Sequence, residues 1–138
     1  MTGNAELQTV REEIRRADEA LVRDLVALGA GAGEPWEAQA SARPAFRARV
    51  ALGVKVAESK FRHNPGRFRP LAAKRDEKGL EQAITDPATE GAVLDRVRRQ
   101  TLECGGDPAV AERVAALYLN RVIPETKRIQ IRRLCEMA

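Results

Sequence analysis

Three pairs of polar residues stand at spacings that bring both members to one face of a helix. These pairs are Arg49 with Lys60, Asp86 with Glu90, and Thr126 with Gln130. Eleven residues separate Arg49 from Lys60, which is three turns, or about 16 Å along the axis. The other two pairs are four residues apart, so their side chains are neighbours. Each spacing thus places polar side chains together on one face of a helix.

Each of these residues also has an ordinary structural interpretation. Arg49 and Lys60 could lie on a solvated helix face, and Asp86 could be a helix N-cap. Glu90 would then be a first-turn acid favoured by the helix dipole, and Thr126 and Gln130 would be exposed surface residues. Taken singly, the residues therefore indicate no function, and only their combination does.

The elements that carry the pairs are all helical. Apolar residues recur at three- and four-residue steps from Leu7 to Leu28, which predicts an amphipathic helix over 5–28. The Gly- and Pro-rich residues 29–45 should interrupt it. The helical period returns at Phe46 and should end near the turn sequence Asn64-Pro65-Gly66.

Residues 61–85 have mixed signals, because Gly79 and interleaved charges weaken a helical interpretation, and we expect an ordered loop with a short helix there. The dipeptides at 86–87 and 107–108 are both Asp-Pro, which pairs an N-cap with proline at the first helical position. The first predicts a helix ending at Gly105-Gly106, and the second a long helix that Pro124 should bend. The predicted fold is one all-α domain over 1–138, a bundle of three main helices with the first interrupted.

Composition limits the partners and the compartment. The net charge is +4 and the pI about 9.5, which suits an anionic partner. No apolar stretch predicts a signal peptide or a membrane span, so we expect a cytoplasmic protein with no membrane partner. Cys104 and Cys135 have no paired spacing and His63 is the only histidine, so the sequence predicts neither a metal site nor a cofactor.

In order and spacing, these segments resemble the all-α chorismate mutases. That family begins with a helix of the form LxxVRxxIxxxDxxLxxLL, and residues 7–28 read LQTVREEIRRADEALVRDLVAL. It continues with an arginine and, eleven residues later, a lysine, as in RVALGVKVAESK at 49–60. Its later segments are matched by DPATEGAVLDRV at 86–97 and by VIPETKRIQ at 122–130. The resemblance spans most of the chain apart from 29–45 and 61–85.

The resemblance implies a homodimeric, intertwined enzyme that rearranges chorismate to prephenate by placement and electrostatics alone. It implies that Arg49, with Arg11 of a second subunit, clamps the two substrate carboxylates, for which the guanidinium fork is suited. Lys60 and Gln130 would donate to the ether oxygen, and Glu90 would accept from the ring hydroxyl. Asp86 and Thr126 would shape the pocket.

The chain departs from the family pattern at two places. Residues 29–45 split a first helix that is usually unbroken, which bears on how Arg11 is placed. The family often has an arginine immediately before the glutamate, where this chain has Thr89. Carboxylate binding could therefore recruit other cations. The candidates are Arg47, Arg62 and Arg67.

Two other functional hypotheses stay open on the sequence. The same fold serves isochorismate pyruvate lyases and aminodeoxychorismate mutases, which act on close analogues. A basic helical nucleic-acid-binding module is an alternative of another class, suggested by KFRHNPGRFRP at 60–70. No helix-turn-helix is recognisable and acids are interleaved elsewhere, so we expect no nucleic-acid partner.

Overall fold

The structure is a computed structural model that describes residues 2–29, 31 and 33–138, with side chains described from residue 6 onward. It consists of helices joined by short connections, and no β-strand occurs in the described ranges. The α-helices are α1 (Thr2–Leu28), α2 (Glu34–Ser41), α3 (Pro44–Ala51), α4 (Gly53–His63), α5 (Pro65–Ala73), α6 (Glu77–Ile84), α7 (Pro87–Glu103), α8 (Pro108–Leu117) and α9 (Ile123–Met137). The all-α class predicted from the sequence is confirmed.

The predicted interruption of the first helix is confirmed, although a short helix lies within it. Gly29 and Gly33 have φ angles of 83° and 89°, a region that glycine enters without steric cost. Helix α1 ends immediately before Gly29, and α2 begins after Gly33 with a proline in its first turn. Trp36 of α2 is buried in the core, so the interruption is packed against the bundle.

The expectation of an ordered loop with one short helix over 61–85 was wrong. The segment completes α4 and then forms α5 and α6. The side chains of Asn64 and Asp76 cap these two helices by accepting from the backbone N–H groups of Arg67 and Gly79. A Cβ on Gly79 would lie 2.6 Å from a carboxylate oxygen of Asp76. The glycine that seemed to indicate a loop therefore makes room for a helix cap.

Both Asp-Pro helix starts are confirmed. The Asp86 carboxylate accepts from two backbone N–H groups of α7, and that of Asp107 accepts from one at the start of α8. The helical run from α8 to α9 includes a π-helical turn, Tyr118–Val122, just before Pro124. Proline has no N–H for the usual bond to a carbonyl four residues earlier, and a wider turn accommodates that loss.

Two apolar clusters form the core of the described residues. One joins α1, α2 and α3 to α7, α8 and the π-turn, and the other joins α4, α5 and α6 to α9. Arg49 lies in α3 between two buried residues of the first cluster, and Lys60 precedes a buried residue of the second. Arg49 and Lys60 are thus each adjacent along the chain to core residues, Arg49 to the first cluster and Lys60 to the second. In the described part of the chain, no helix is both long enough and apolar enough to cross a membrane.

Candidate active site

Arg49, which is buried, is held by a fully buried carboxylate. Asp18 of α1 has no exposed surface, and its Oδ1 accepts from the Arg49 Nε at 2.5 Å and from the Tyr118 hydroxyl at 2.7 Å. Its Oδ2 pairs with Arg96 of α7. Burial, followed by the neighbouring Asp18 charge, raises the pKa of Tyr118 well above 10.0, so its hydroxyl stays a donor.

The Asp18 network leaves part of Arg49 available. Only the Nε–H is used by Asp18, and no described residue is paired with either Nη group. The side chain is 7% exposed, so it has few accessible orientations. A guanidinium fixed through one edge keeps its remaining donors aimed in one direction, which suits a carboxylate.

Helices α4 and α9 pack closely at a glycine, which brings the pair on α9, Thr126 and Gln130, against the helix that carries Lys60. A Cβ on Gly53 would lie 2.9 Å from the backbone oxygen of Thr126, so only glycine permits this approach. One turn along α9, the Lys60 Nζ donates to the Gln130 Oε1 at 3.1 Å. The Gln130 amide oxygen therefore faces Lys60, and its N–H₂ group remains a donor. Thr126 is buried and its hydroxyl donates to the Val122 backbone oxygen.

The first turn of α7 brings the predicted carboxylates to the same region. Asp86 accepts from backbone N–H groups of that turn and from the Thr89 hydroxyl at 2.9 Å. One turn further, Glu90 forms an ion pair with Lys127 of α9, with 2.7 Å between Oε2 and Nζ. The side chains of Glu90 and Lys127 are 28% and 19% exposed, so this pair is partly shielded from water.

Charges from three helices meet around Lys60. Burial is the largest influence and lowers the pKa of Lys60 below 10.5. The carboxylates of Asp86 and Glu90 raise it, whereas the cations Arg67 and Lys127 lower it further. Hydrogen bonds from Thr89 are the main reason that the pKa of Asp86 lies below 3.8, with a smaller contribution from Lys60. The group is therefore a mixed but cationic cluster around a half-buried ammonium.

Arg11 is the predicted site residue that the structure does not connect to the others. Its side chain is exposed and has no ion pair among the described residues. Helix α1 runs antiparallel to α3 and α4, since Asp18 pairs with Arg49 while Glu13 pairs with Lys55. Arg11 precedes Asp18 by seven residues, which puts it on the same face about 10 Å nearer the Lys60 end.

The three additional cations suggested by the sequence are placed differently from one another. Arg47 is exposed on α3, and Arg62 pairs with Glu6 of α1. Arg67 of α5 is close enough for its charge to lower the pKa of Lys60. Of the three, Arg67 is the one that the structure brings to the cluster.

Sequence reasoning did not assign Asp18, Arg96, Tyr118 or Lys127 to the site. Asp18 carried a readable signal, because it interrupts the apolar stripe of α1 between Ile14 and Leu21. A charge on a buried helix face requires a partner. No spacing pattern pointed to Lys127, which follows Thr126 directly.

The cluster offers cations and neutral donors for an anion, and a carboxylate for a hydroxyl group. Within the described ranges, no three or more His, Cys, Asp or Glu side chains are grouped so that they could hold a metal ion. The arrangement can bind, orient and stabilise developing negative charge without forming a covalent bond.

Comparisons with known proteins agree with this chemistry. No protein-family model matches the chain. It is 37% identical over 92 residues to the chorismate mutase of Schizosaccharomyces pombe, covering 60% of this chain and 37% of that protein. Identity to the chorismate mutase of Trichoderma parareesei is 32% over 103 residues, covering 67% and 39%. The chain thus spans about two fifths of the length of these relatives.

A solved structure resembles the fold as well as the sequence. The crystal structure of a Candida albicans chorismate mutase, in complex with L-Trp, superposes with a TM-score of 0.63 at 29% identity. The match covers 75% of this chain and 42% of that one.

Proposed function

We propose that this chain, a homologue of the all-α chorismate mutases, converts chorismate to prephenate. The observation that carries the proposal is the cluster in which Lys60 donates to Gln130 beside the carboxylate of Glu90. The cluster places two hydrogen-bond donors, Lys60 and the Gln130 amide, near one acceptor, Glu90. A substrate with an ether oxygen needs donors, and its ring hydroxyl needs an acceptor.

The rearrangement is unimolecular, so the protein must hold chorismate in a reactive shape and stabilise the charge that develops. The Nη groups of Arg49 would bind one substrate carboxylate, because Asp18 occupies only the Nε–H. Lys60 and the Gln130 amide would donate to the ether oxygen as its bond to carbon breaks. Hydrogen bonds aimed at developing charge in a shielded site contribute strongly to catalysis.

Glu90 would accept from the ring hydroxyl and so fix the orientation of the ring. Asp86 and Thr126 would have supporting roles. Asp86 caps α7, and its charge opposes the lowering of the Lys60 pKa by burial, which favours the protonated ammonium. Thr126 lies where Gly53 of α4 meets α9, and its hydroxyl donates to the last residue of the preceding π-helical turn, Val122.

Identification of the product tests this proposal. Purified protein incubated with chorismate should form prephenate, and activity should survive a chelator. Release of pyruvate, from isochorismate or from chorismate, would instead favour a lyase on the same fold. Turnover of aminodeoxychorismate, without turnover of chorismate, would favour an aminodeoxychorismate mutase.

The proposal includes a homodimer, which is supported by the family resemblance. The resemblance implied that Arg11 acts across the dimer. The pairing of α1 with α3 and α4 of the same chain favours instead an Arg11 that acts within its own chain. We propose that Arg11 serves the site of its own chain, because it shares a helix face with Asp18, which holds Arg49. A second subunit is then not needed to complete the carboxylate clamp.

Mixing two inactive variants decides between these sources of Arg11. A heterodimer of Arg11→Ala and Arg49→Ala chains should remain inactive, because each chain lacks one arginine of its own site. Recovery of activity in purified heterodimers would show that Arg11 crosses the interface.

A cytoplasmic location completes the proposal. Cys104 and Cys135 are both free thiols, which is compatible with a reducing compartment.

A further inference from the structure

Lys127 lies in the proposed site, although no residue pattern assigned it a role there. It stands on α9 between Thr126 and Gln130, and its side chain is 19% exposed. Its Nζ is 2.7 Å from the Oε2 of Glu90. It is therefore next to the carboxylate that is proposed to bind the substrate hydroxyl.

The position of Lys127 has an electrostatic cost. Its charge is close enough to Lys60 to lower the pKa of that ammonium, and Arg67 acts in the same direction. Cations placed this close to the Lys60 ammonium repel it in the empty site. A bound anion would offset that repulsion, whereas packing alone would not. Lys60 and the four charged groups around it, which are Arg67, Lys127, Asp86 and Glu90, together carry a net charge of +1 before a substrate binds.

A dianionic substrate creates a difficulty that Lys127 can remove. Glu90 must be present to accept from the hydroxyl, yet an uncompensated carboxylate repels the carboxylates of chorismate. The family pattern implied by the resemblance often has an arginine immediately before this glutamate, whereas Thr89 here donates to Asp86 and brings no charge. The cation beside Glu90 comes from α9 instead.

We propose that Lys127 is a positioning residue that neutralises and orients Glu90. Position 89 on α7 carries no cation, and Lys127 supplies that charge from α9. The inference rests on the proposed function. The ammonium holds one carboxylate oxygen of Glu90 and leaves the other for the substrate hydroxyl. Its effect should fall mainly on substrate binding, because the charge compensation is needed in both the ground state and the transition state.

Lys127→Met tests the inference against a matched control on the same helix. Arg128 is adjacent, its side chain is 65% exposed, and it pairs with Glu125 away from the cluster. We expect Lys127→Met to raise KM for chorismate roughly tenfold with kcat changed less than about threefold. Arg128→Met should leave both constants near those of the parent, and Lys127→Arg should restore most of the loss because it keeps the charge.

Moving the cation provides a readout that a merely structural lysine would not change. Adding Thr89→Arg to Lys127→Met returns a positive charge beside Glu90 from α7, and KM should fall back toward the parent value. An unchanged KM in folded Lys127→Met would overturn the inference. So would failure of both Lys127→Arg and the Thr89→Arg double variant to recover KM, with folding checked by circular dichroism. If the parent itself does not convert chorismate, it is the proposed function that fails.

Discussion

Replacing Asp18 by asparagine removes the charge that holds Arg49 while keeping nearly the same shape. Asp18 is fully buried and accepts from Arg49, Arg96 and Tyr118. An asparagine keeps one acceptor oxygen but turns the other into a donor that faces an arginine N–H. Two guanidinium groups, with side chains 7% and 24% exposed, would then lack their counter-charge.

The expected loss is large because the network is buried. Removing one partner of a buried ion pair costs about 3–5 kcal/mol, a large part of the 5–15 kcal/mol that typically stabilises a domain. A more exposed arginine–aspartate pair provides the comparison. Arg43 donates twice to Asp24, at 2.9 and 2.7 Å, but the side chains are 39% and 25% exposed. Solvent screening limits such a pair to about 1 kcal/mol.

Urea unfolding of Asp18→Asn and Asp24→Asn measures this difference. Far-ultraviolet circular dichroism follows the helices, and fluorescence of Trp36, the only tryptophan, follows the packing of α2 on the core. The midpoint of Asp18→Asn should fall several times further than that of Asp24→Asn, with similar slopes. Equal losses in the two variants would refute the argument that burial makes the Asp18 network important.

Three further predictions concern the walls of the site. Asp86→Asn keeps an N-cap but removes a charge that raises the pKa of Lys60, so the alkaline limb of kcat/KM should move to lower pH; a limb that stays or moves upward would contradict this. Gly53→Ala should cost roughly 1–3 kcal/mol in urea unfolding, because its Cβ would lie 2.9 Å from the Thr126 backbone oxygen; a fully stable variant would mean that α4 and α9 pack less closely. Gln130→Glu should be impaired near neutral pH, where a carboxylate can only accept, and should recover as pH falls and a donor returns; a profile like the parent's would remove the amide from its proposed role.

The sequence predicted those parts of the fold that depend on local signals. An Asp-Pro dipeptide combines a side-chain acceptor with a preset φ, so the starts of α7 and α8 could be located without any tertiary information. Gly79 misled because a glycine next to a capping carboxylate looks the same in sequence as a glycine in a loop. The distinction depends on an atom of Asp76 in three dimensions.

The candidate site divides in the same way. Helical spacing relates Arg49 to Lys60, because both stand on one nearly continuous helical run. It cannot relate Asp18 to its partners, which lie 31, 78 and 100 residues away in the chain. Lys127 was missed for a similar reason, since its partner Glu90 belongs to another helix. Pairs between different helices depend on how the helices pack. The periodicity of residues within one helix does not predict them.

The central claim is that the cluster around Lys60 rearranges chorismate, and turnover by the parent chain and by Lys60→Met tests it most directly. The two proteins should be expressed and purified identically, so that any mutase carried over from the host appears in both. The parent should form prephenate, and the variant should lose about 100- to 1,000-fold in kcat/KM, because a donor to the developing charge is absent. Equal rates in the two preparations, or no turnover by the folded parent, would contradict the account.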